Sequence, residues 1–330
     1  MTIIEAMNLR EFRGIKECEK PLRFSKFNVL IGRNNSGKTA ILEALFLFPI
    51  PFGTYFVPLF GRPKISIIRL LHWSEASLVY GYSGTAEINI WLKGVDKTIK
   101  YIVNDRGNVR IFIDGKEMNA NDSFKFFSEI LKVNEKNLMN FSFFIPNDTR
   151  LMRELCTEIV KEKTWNYLMK SGANVRIVKE LISKVVRDNF TEVHVGPNNK
   201  LEIRKVIGDK VFFIDVADIG DGIERVLTYA LSLEAVQPKI VLWDDIEASA
   251  HPGLVKVLLE WLASKNWQVI LSTHSIDVLH ALLDIELEDI QILALNKDEQ
   301  DTLKYRIYSL DELEEMFKSG IDIRKILDLI

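Results

Sequence analysis

The chain has 330 residues, with 43 Lys and Arg against 46 Asp and Glu for a formal charge of −3, and 47% of it is apolar. This is an ordinary globular balance with enough length for a large core, as one elaborated domain or as two lobes. No window of about 18 uncharged apolar residues occurs, which excludes a membrane-spanning helix, and two cysteines, Cys18 and Cys156, exclude a disulfide scaffold or a cysteine-rich zinc site.

The opening segment alternates charge with hydrophobe and lacks a signal-peptide pattern, so a cytoplasmic protein is expected. Strands are predicted over Ile3–Leu9 and Phe27–Ile31, the second mostly apolar, as in a strand covered on both faces. A helix follows over Lys38–Phe48 and stops at Pro49. Pro49–Pro63 reads as an apolar loop rich in proline and aromatics, and Lys64–Trp73 as a helix. Alternating runs between Ser77 and Ile113 predict an antiparallel meander with turns at Asp105–Gly107 and Asp114-Gly115.

From Asp122 to Asn189 the patterns become helical, with Phe141–Ile145 read as a strand between helices. Asn189–Val216 returns to strands. A regular alternation then follows: helix 222–234, strand 239–243, helix 253–264, strand 267–272, helix 276–283 and strand 289–295. Near-continuous apolar strands alternating with helices predict a parallel α/β sheet. Residues 151–210 carry 12 basic and 8 acidic side chains, too small an excess to mark a nucleic-acid surface by itself.

Gly32-Arg33-Asn34-Asn35-Ser36-Gly37-Lys38-Thr39 fits the phosphate-loop pattern G-x-x-x-x-G-K-[ST], placed after an apolar strand and opening a helix. Gly32 and Gly37 let backbone N–H groups turn inward around phosphate oxygens. Lys38 is read as the ammonium on the β- and γ-phosphates, facing solvent without ligand, and Thr39 as a hydroxyl ligand of Mg²⁺. The helix start adds its positive end to the anion site. A nucleoside triphosphate, ATP, is the expected ligand.

The strand Ile240–Trp243 runs into Asp244-Asp245-Ile246-Glu247, carboxylates at the strand end where open α/β sheets bind ligands. Asp244 is the expected Mg²⁺ partner through water, complementing Thr39. Asp245 is expected to position the attacking water, with Glu247 as a further catalytic candidate.

With these motifs placed, the chain resembles an ABC-type ATPase of the SMC-like branch. It is similar to the AAA-named ATP-binding proteins related to the overcoming-lysogenization-defect (OLD) ATPases. Asn8–Gly14 resembles the family's opening strand and turn, which implies Arg13 near the nucleotide. Asp218–Arg225 resembles its signature, a glycine-containing turn opening a helix, which implies that Gly220, Asp221 and Gly222 contact nucleotide across a head-to-tail dimer. Asp244–Pro252 resembles its acidic run, and Ser272–Ser275 its switch-histidine motif, which implies a catalytic His274. His251 is read as structural.

The resemblance implies an α/β fold of the ABC-ATPase type, a mixed sheet with an antiparallel β subdomain and a helical lobe. Segments 1–121 and 190–330 are expected to form the head, with 122–189 an inserted helical subdomain. It also implies an ATP-dependent homodimer acting with DNA or a DNA-processing partner. Three departures stand out. Asp245 occupies the usual Glu position, Gly220 and Ile223 replace the signature's Ser and Gln, and Pro49–Pro63 occupies the expected place of a metal-binding Gln loop. These suggest slow hydrolysis, or a nucleotide-sensing subunit that gates a separate effector. The stretch after His274 is short and carries no acidic cluster on a new sheet comparable to that of the OLD nucleases, so no nuclease activity is expected.

Overall fold

The computed structural model describes residues 2–52, 56–285 and 289–327. Residues 53–55 of the expected Pro49–Pro63 loop lie outside that set, as do Met1 and 328–330 at the ends of the expected head segments. Sixteen strands are formed among the described residues. The N-terminal part holds β1 (Ile4–Phe12), β2 (Ile15–Cys18), β3 (Leu22–Arg23) and β4 (Phe27–Gly32). The meander follows as β5 (Thr85–Leu92), β6 (Ile99–Asn104), β7 (Val109–Ile113) and β8 (Lys116–Met118). Then come β9 (Ser142–Ile145), β10 (Phe190–Val195), β11 (Leu201–Ile207) and β12 (Lys210–Asp215). The last four are β13 (Ile240–Trp243), β14 (Gln268–Thr273), β15 (Ile290–Lys297) and β16 (Thr302–Tyr308).

One large mixed sheet runs in the order β9-β13-β14-β4-β15-β16-β2-β1-β5-β6-β7-β8, with β3 also on β1. Its first five strands are parallel, and every residue of β4, β9, β13 and β14 is buried. Side chains on both faces are buried there, so continuous apolar runs are required. Beyond β16 the sheet is largely antiparallel, and β5 and β6 alternate buried with partly exposed side chains, because one face meets water. Two buried amides fasten the junction. Gln268 accepts from the Ile4 N–H at 2.9 Å and donates to the Ile4 carbonyl at 2.8 Å, while Asn28 donates to the Val269 carbonyl at 3.0 Å.

The 122–189 stretch is mainly helical, including Ala120–Leu131, Thr149–Ile159 and Glu162–Lys170, yet it gives β9 to the edge of the main sheet. The sheet β10-β11-β12 is separate, and Asn174 from the helical stretch donates to the Val193 carbonyl of β10 at 3.4 Å. The expected 222–234 helix extends over Asp221–Val236. The expected Val175–Val186 helix is shorter, an α-turn at Ala173–Ile177 passing into a wider π-turn at Val178–Ile182. Lys64, fully buried, donates to the Phe48 carbonyl and to Ser142 Oγ at 2.7 Å, tying the exit of the phosphate-loop helix to β9. Burial holds its ammonium well below the usual lysine range.

Candidate nucleotide site

β4 ends at Gly32, and the loop turns into the helix Lys38–Phe46. A Cβ on Gly32 would lie 2.2 Å from Ser36 Oγ and 2.9 Å from the Leu295 carbonyl, so only glycine fits. Gly37 has φ 97° and Asn35 φ 64°, the left-handed values that curl the backbone around an anion. The resulting cleft, about 390 Å³, is lined by Arg13–Ile15, Asn34–Ala40, Asp245, His274 and Lys297. Arg33 enters through its carbonyl, which accepts from the Lys38 ammonium at 3.0 Å, while the Gly32 carbonyl accepts from it at 2.9 Å.

Lys38 is only 5% exposed, which corrects the expectation of a solvent-facing ammonium. Burial lowers its pKa, against the pull of the Asp245, Asp244 and Glu247 carboxylates. A lysine so placed exchanges two carbonyls for phosphate oxygens when a triphosphate enters, and gains charge complementarity in doing so.

The acidic strand end lies alongside. Thr39 Oγ1 donates to Asp244 Oδ2 at 2.9 Å, and Ser272 Oγ donates to Asp244 Oδ1 at 2.6 Å. Thr39 and Asp244 thus form a paired hydroxyl and carboxylate, hard oxygen donors suited to Mg²⁺ with phosphate and water completing the shell. Asp245 sits at φ 48°, a strained value for a side-chain-bearing residue. Its N–H donates to Ser272 Oγ at 2.9 Å, and its Oδ1 lies 3.8 Å from His274 Nε2.

The Asp244 carboxyl is pushed up to about 6, chiefly by burial, with Asp245 adding to the rise and hydrogen bonds from Ser272 and Thr39 opposing it. Its folded value exceeds the unfolded one of about 3.9, so stability falls as pH rises between about 4 and 6 and stays reduced above. Asp244→Asn is therefore expected to stabilise the nucleotide-free chain at neutral pH by on the order of 2 kcal/mol, with no gain below about pH 4. Thermal melts at the two pH values check this. A variant less stable than the wild type at neutral pH contradicts it.

Other expected site residues are placed differently. Glu247 does not line the cleft; its Oε1 accepts the His274 N–H at 2.7 Å, bracing the end of β14. Arg13 borders the cleft, but its guanidinium pairs with the buried Glu43 and lies 3.3 Å from His72 Nδ1. Gly220, Asp221 and Gly222 are off the cleft of their own chain. Gly220 has φ 132°, whereas Gly222 is required by packing, since a Cβ there would lie 2.4 Å from the Ser249 carbonyl. His251 is structural, its Nδ1 accepting from the Gly253 N–H at 3.2 Å to cap Pro252–Ser264.

Two residues escaped the sequence reading. Asn147, just beyond β9, donates through Nδ2 to Asp245 Oδ2 at 3.2 Å. The readable signal was a polar Pro146-Asn147-Asp148 step ending an apolar strand. Lys297 closes the cleft from the end of β15, donating to the Gly14 carbonyl at 2.6 Å and to Asp301 at 2.8 Å; nothing in its sequence context sets it apart.

Comparison with known proteins gives the family and the fold. The AAA_15 family model, described as an AAA ATPase domain, matches residues 2–209. The ATP/GTP phosphatase of Helicobacter pylori is 21% identical over 380 aligned positions, which take in 96% of this chain and 98% of that protein. The SMC head bound to the C-winged helix domain of ScpA has a similar structure, with a TM-score of 0.61 at 19% identity over 94% of this chain and 99% of that one. The SMC head domain from Thermotoga maritima gives 0.53 at 16% identity over 93% and 99%. At such identities these two likenesses show the fold, a mixed α/β sheet of the SMC-head, ABC type. The chain belongs to the AAA ATPase domain family and is an ATP-binding P-loop ATP hydrolase.

Proposed function

We propose that the chain hydrolyses ATP with Mg²⁺ held by Thr39 and Asp244, and that ATP draws two copies together head to tail. Bound Mg²⁺ supplies charge neutralisation on the β- and γ-phosphates. Lys38 and free backbone N–H groups of the phosphate loop hold the triphosphate, Asp245 orients the attacking water, and His274 stands beside it. Segments 1–121 and 190–330 act as the ATPase head, with 122–189 as a helical lobe lending one strand to its sheet. We assign the assembly a cytoplasmic role with DNA or a DNA-processing protein, the reading that the motif-level resemblance to SMC-like and OLD ATPases supports. Among the described residues, no helix is long and apolar enough to cross a membrane.

The carrying observation for pairing is the Gly220–Gly222 turn. It opens the helix Asp221–Val236 without a side-chain cap, and it does not line its own chain's cleft. A helix start carries unmet N–H donors and a positive dipole end, and a γ-phosphate presented by a second copy satisfies both. The pairing is then isologous, and binding energy is shared across a two-fold axis.

Gly222 is unsuited to testing this because its Cβ meets Ser249. Asp221 is exposed, and Asp221→Trp places bulk at the turn without touching the core. Light scattering of Asp245→Asn with Mg·ATP is expected to show a dimer, without nucleotide a monomer, and with Asp221→Trp added a monomer that still binds ATP. A nucleotide-loaded monomer at tens of micromolar would instead favour the second reading. In that reading, the Asp at the usual Glu position makes the chain a slow-hydrolysing sensor that gates a separate effector.

A further inference from the structure

Arg225 is 7% exposed and projects from the first turns of the helix Asp221–Val236. Its Nη1 donates to Asn147 Oδ1 at 3.1 Å, while Nε and Nη2 have no acceptor among the described residues. Its guanidinium lies over the Tyr229 ring, 5.4 Å from the centroid. Tyr229, one turn later, donates to the Pro146 carbonyl at 3.4 Å. The same ring meets Trp243 edge-on at 5.3 Å and 80°, and Trp243 directly precedes Asp244 and Asp245. A buried guanidinium with two unmet donors is poorly chosen for stability, since an apolar residue of similar volume would avoid the desolvation.

We propose that Arg225 is a positioning residue for Asp245, acting through Asn147; the proposal rests on Asp245 as the water-orienting carboxylate. The chemistry of the three groups permits one arrangement. A guanidinium only donates and an ionised carboxylate only accepts, so the amide between them must turn its oxygen to Arg225 and its NH₂ to Asp245. Asn147 is exposed at the cleft edge, and without Arg225 its amide is free to rotate and set an oxygen against the carboxylate. Arg225 removes that alternative. Because Arg225 and Tyr229 ride on the helix that opens at Gly220, any displacement of that helix alters the hold on Asp245.

The test is a double-mutant cycle on ATP turnover, with nucleotide affinity measured separately. Asn147→Leu and Arg225→Met are each expected to lower kcat by roughly tenfold while KM and ATP Kd stay within about twofold, and the double variant is expected to be no slower than either. Should Arg225→Met not fold, Arg225→Gln takes its place in the cycle. Wild-type turnover by Asn147→Leu overturns the relay, and so do losses that multiply in the double variant. Asp245→Asn, run in parallel, separates the two failures. If it is inactive while Asn147→Leu is unaffected, only the relay is wrong; if it turns over normally, the assignment of Asp245 itself fails.

Discussion

Asp245→Asn is expected to bind ATP within about twofold of wild type while steady-state hydrolysis falls by roughly two to three orders of magnitude, the usual worth of a positioned acid or base. The substitution is nearly isosteric. It keeps the backbone at φ 48°, a value that asparagine tolerates as well as aspartate, and it keeps the Ser272 contact, which is made by the backbone N–H. What is lost is the charge on the oxygens nearest His274 and Asn147. One secondary effect has a defined sign: Asp245 helps raise the Asp244 carboxyl, so the variant should hold Asp244 ionised to lower pH. Rapid-quench hydrolysis with calorimetry of binding measures both quantities. A variant hydrolysing at the wild-type rate would shift the role to His274, since Glu247 has one oxygen engaged by the His274 N–H and lies off the cleft.

The elements that carry phosphate chemistry were legible because local constraints fix them. The octet Gly32–Thr39 needs glycine at 32 for space and at 37 for φ 97°, and both requirements are written in residue type. The parallel strands were legible because burial on both faces forces continuous apolar runs. Glu247 and Gly222 show the limit. Each sits inside a motif that resembles a known family, yet each is set by tertiary packing, Glu247 by the end of β14 and Gly222 by the Ser249–Ala250 backbone. Asn147 was hidden for a related reason. Its strand is separated from Asp245 by nearly a hundred residues of chain and meets it only when β9 pairs with β13.

Lys38→Ala is expected to weaken ATP binding by about 1.5–3 kcal/mol, the scale of a hydrogen bond from a charged donor. The nucleotide-free fold should barely change, although the ammonium is buried and bonded to two loop carbonyls. Two effects of opposite sign are removed together. Losing the bonds to Gly32 and Arg33 loosens the loop, while losing an ammonium whose pKa burial has lowered relieves a desolvation cost at neutral pH. The discriminating measurement is therefore the difference between melts with and without Mg·ATP. Ligand that binds only the folded state raises the melting temperature according to its affinity, so the wild type should show a clear shift and Lys38→Ala almost none. Unchanged binding would remove the phosphate-loop assignment. A variant that loses its nucleotide-free fold would instead show that the two carbonyl bonds outweigh the desolvation, and that Lys38 holds the empty loop together as well as the filled one.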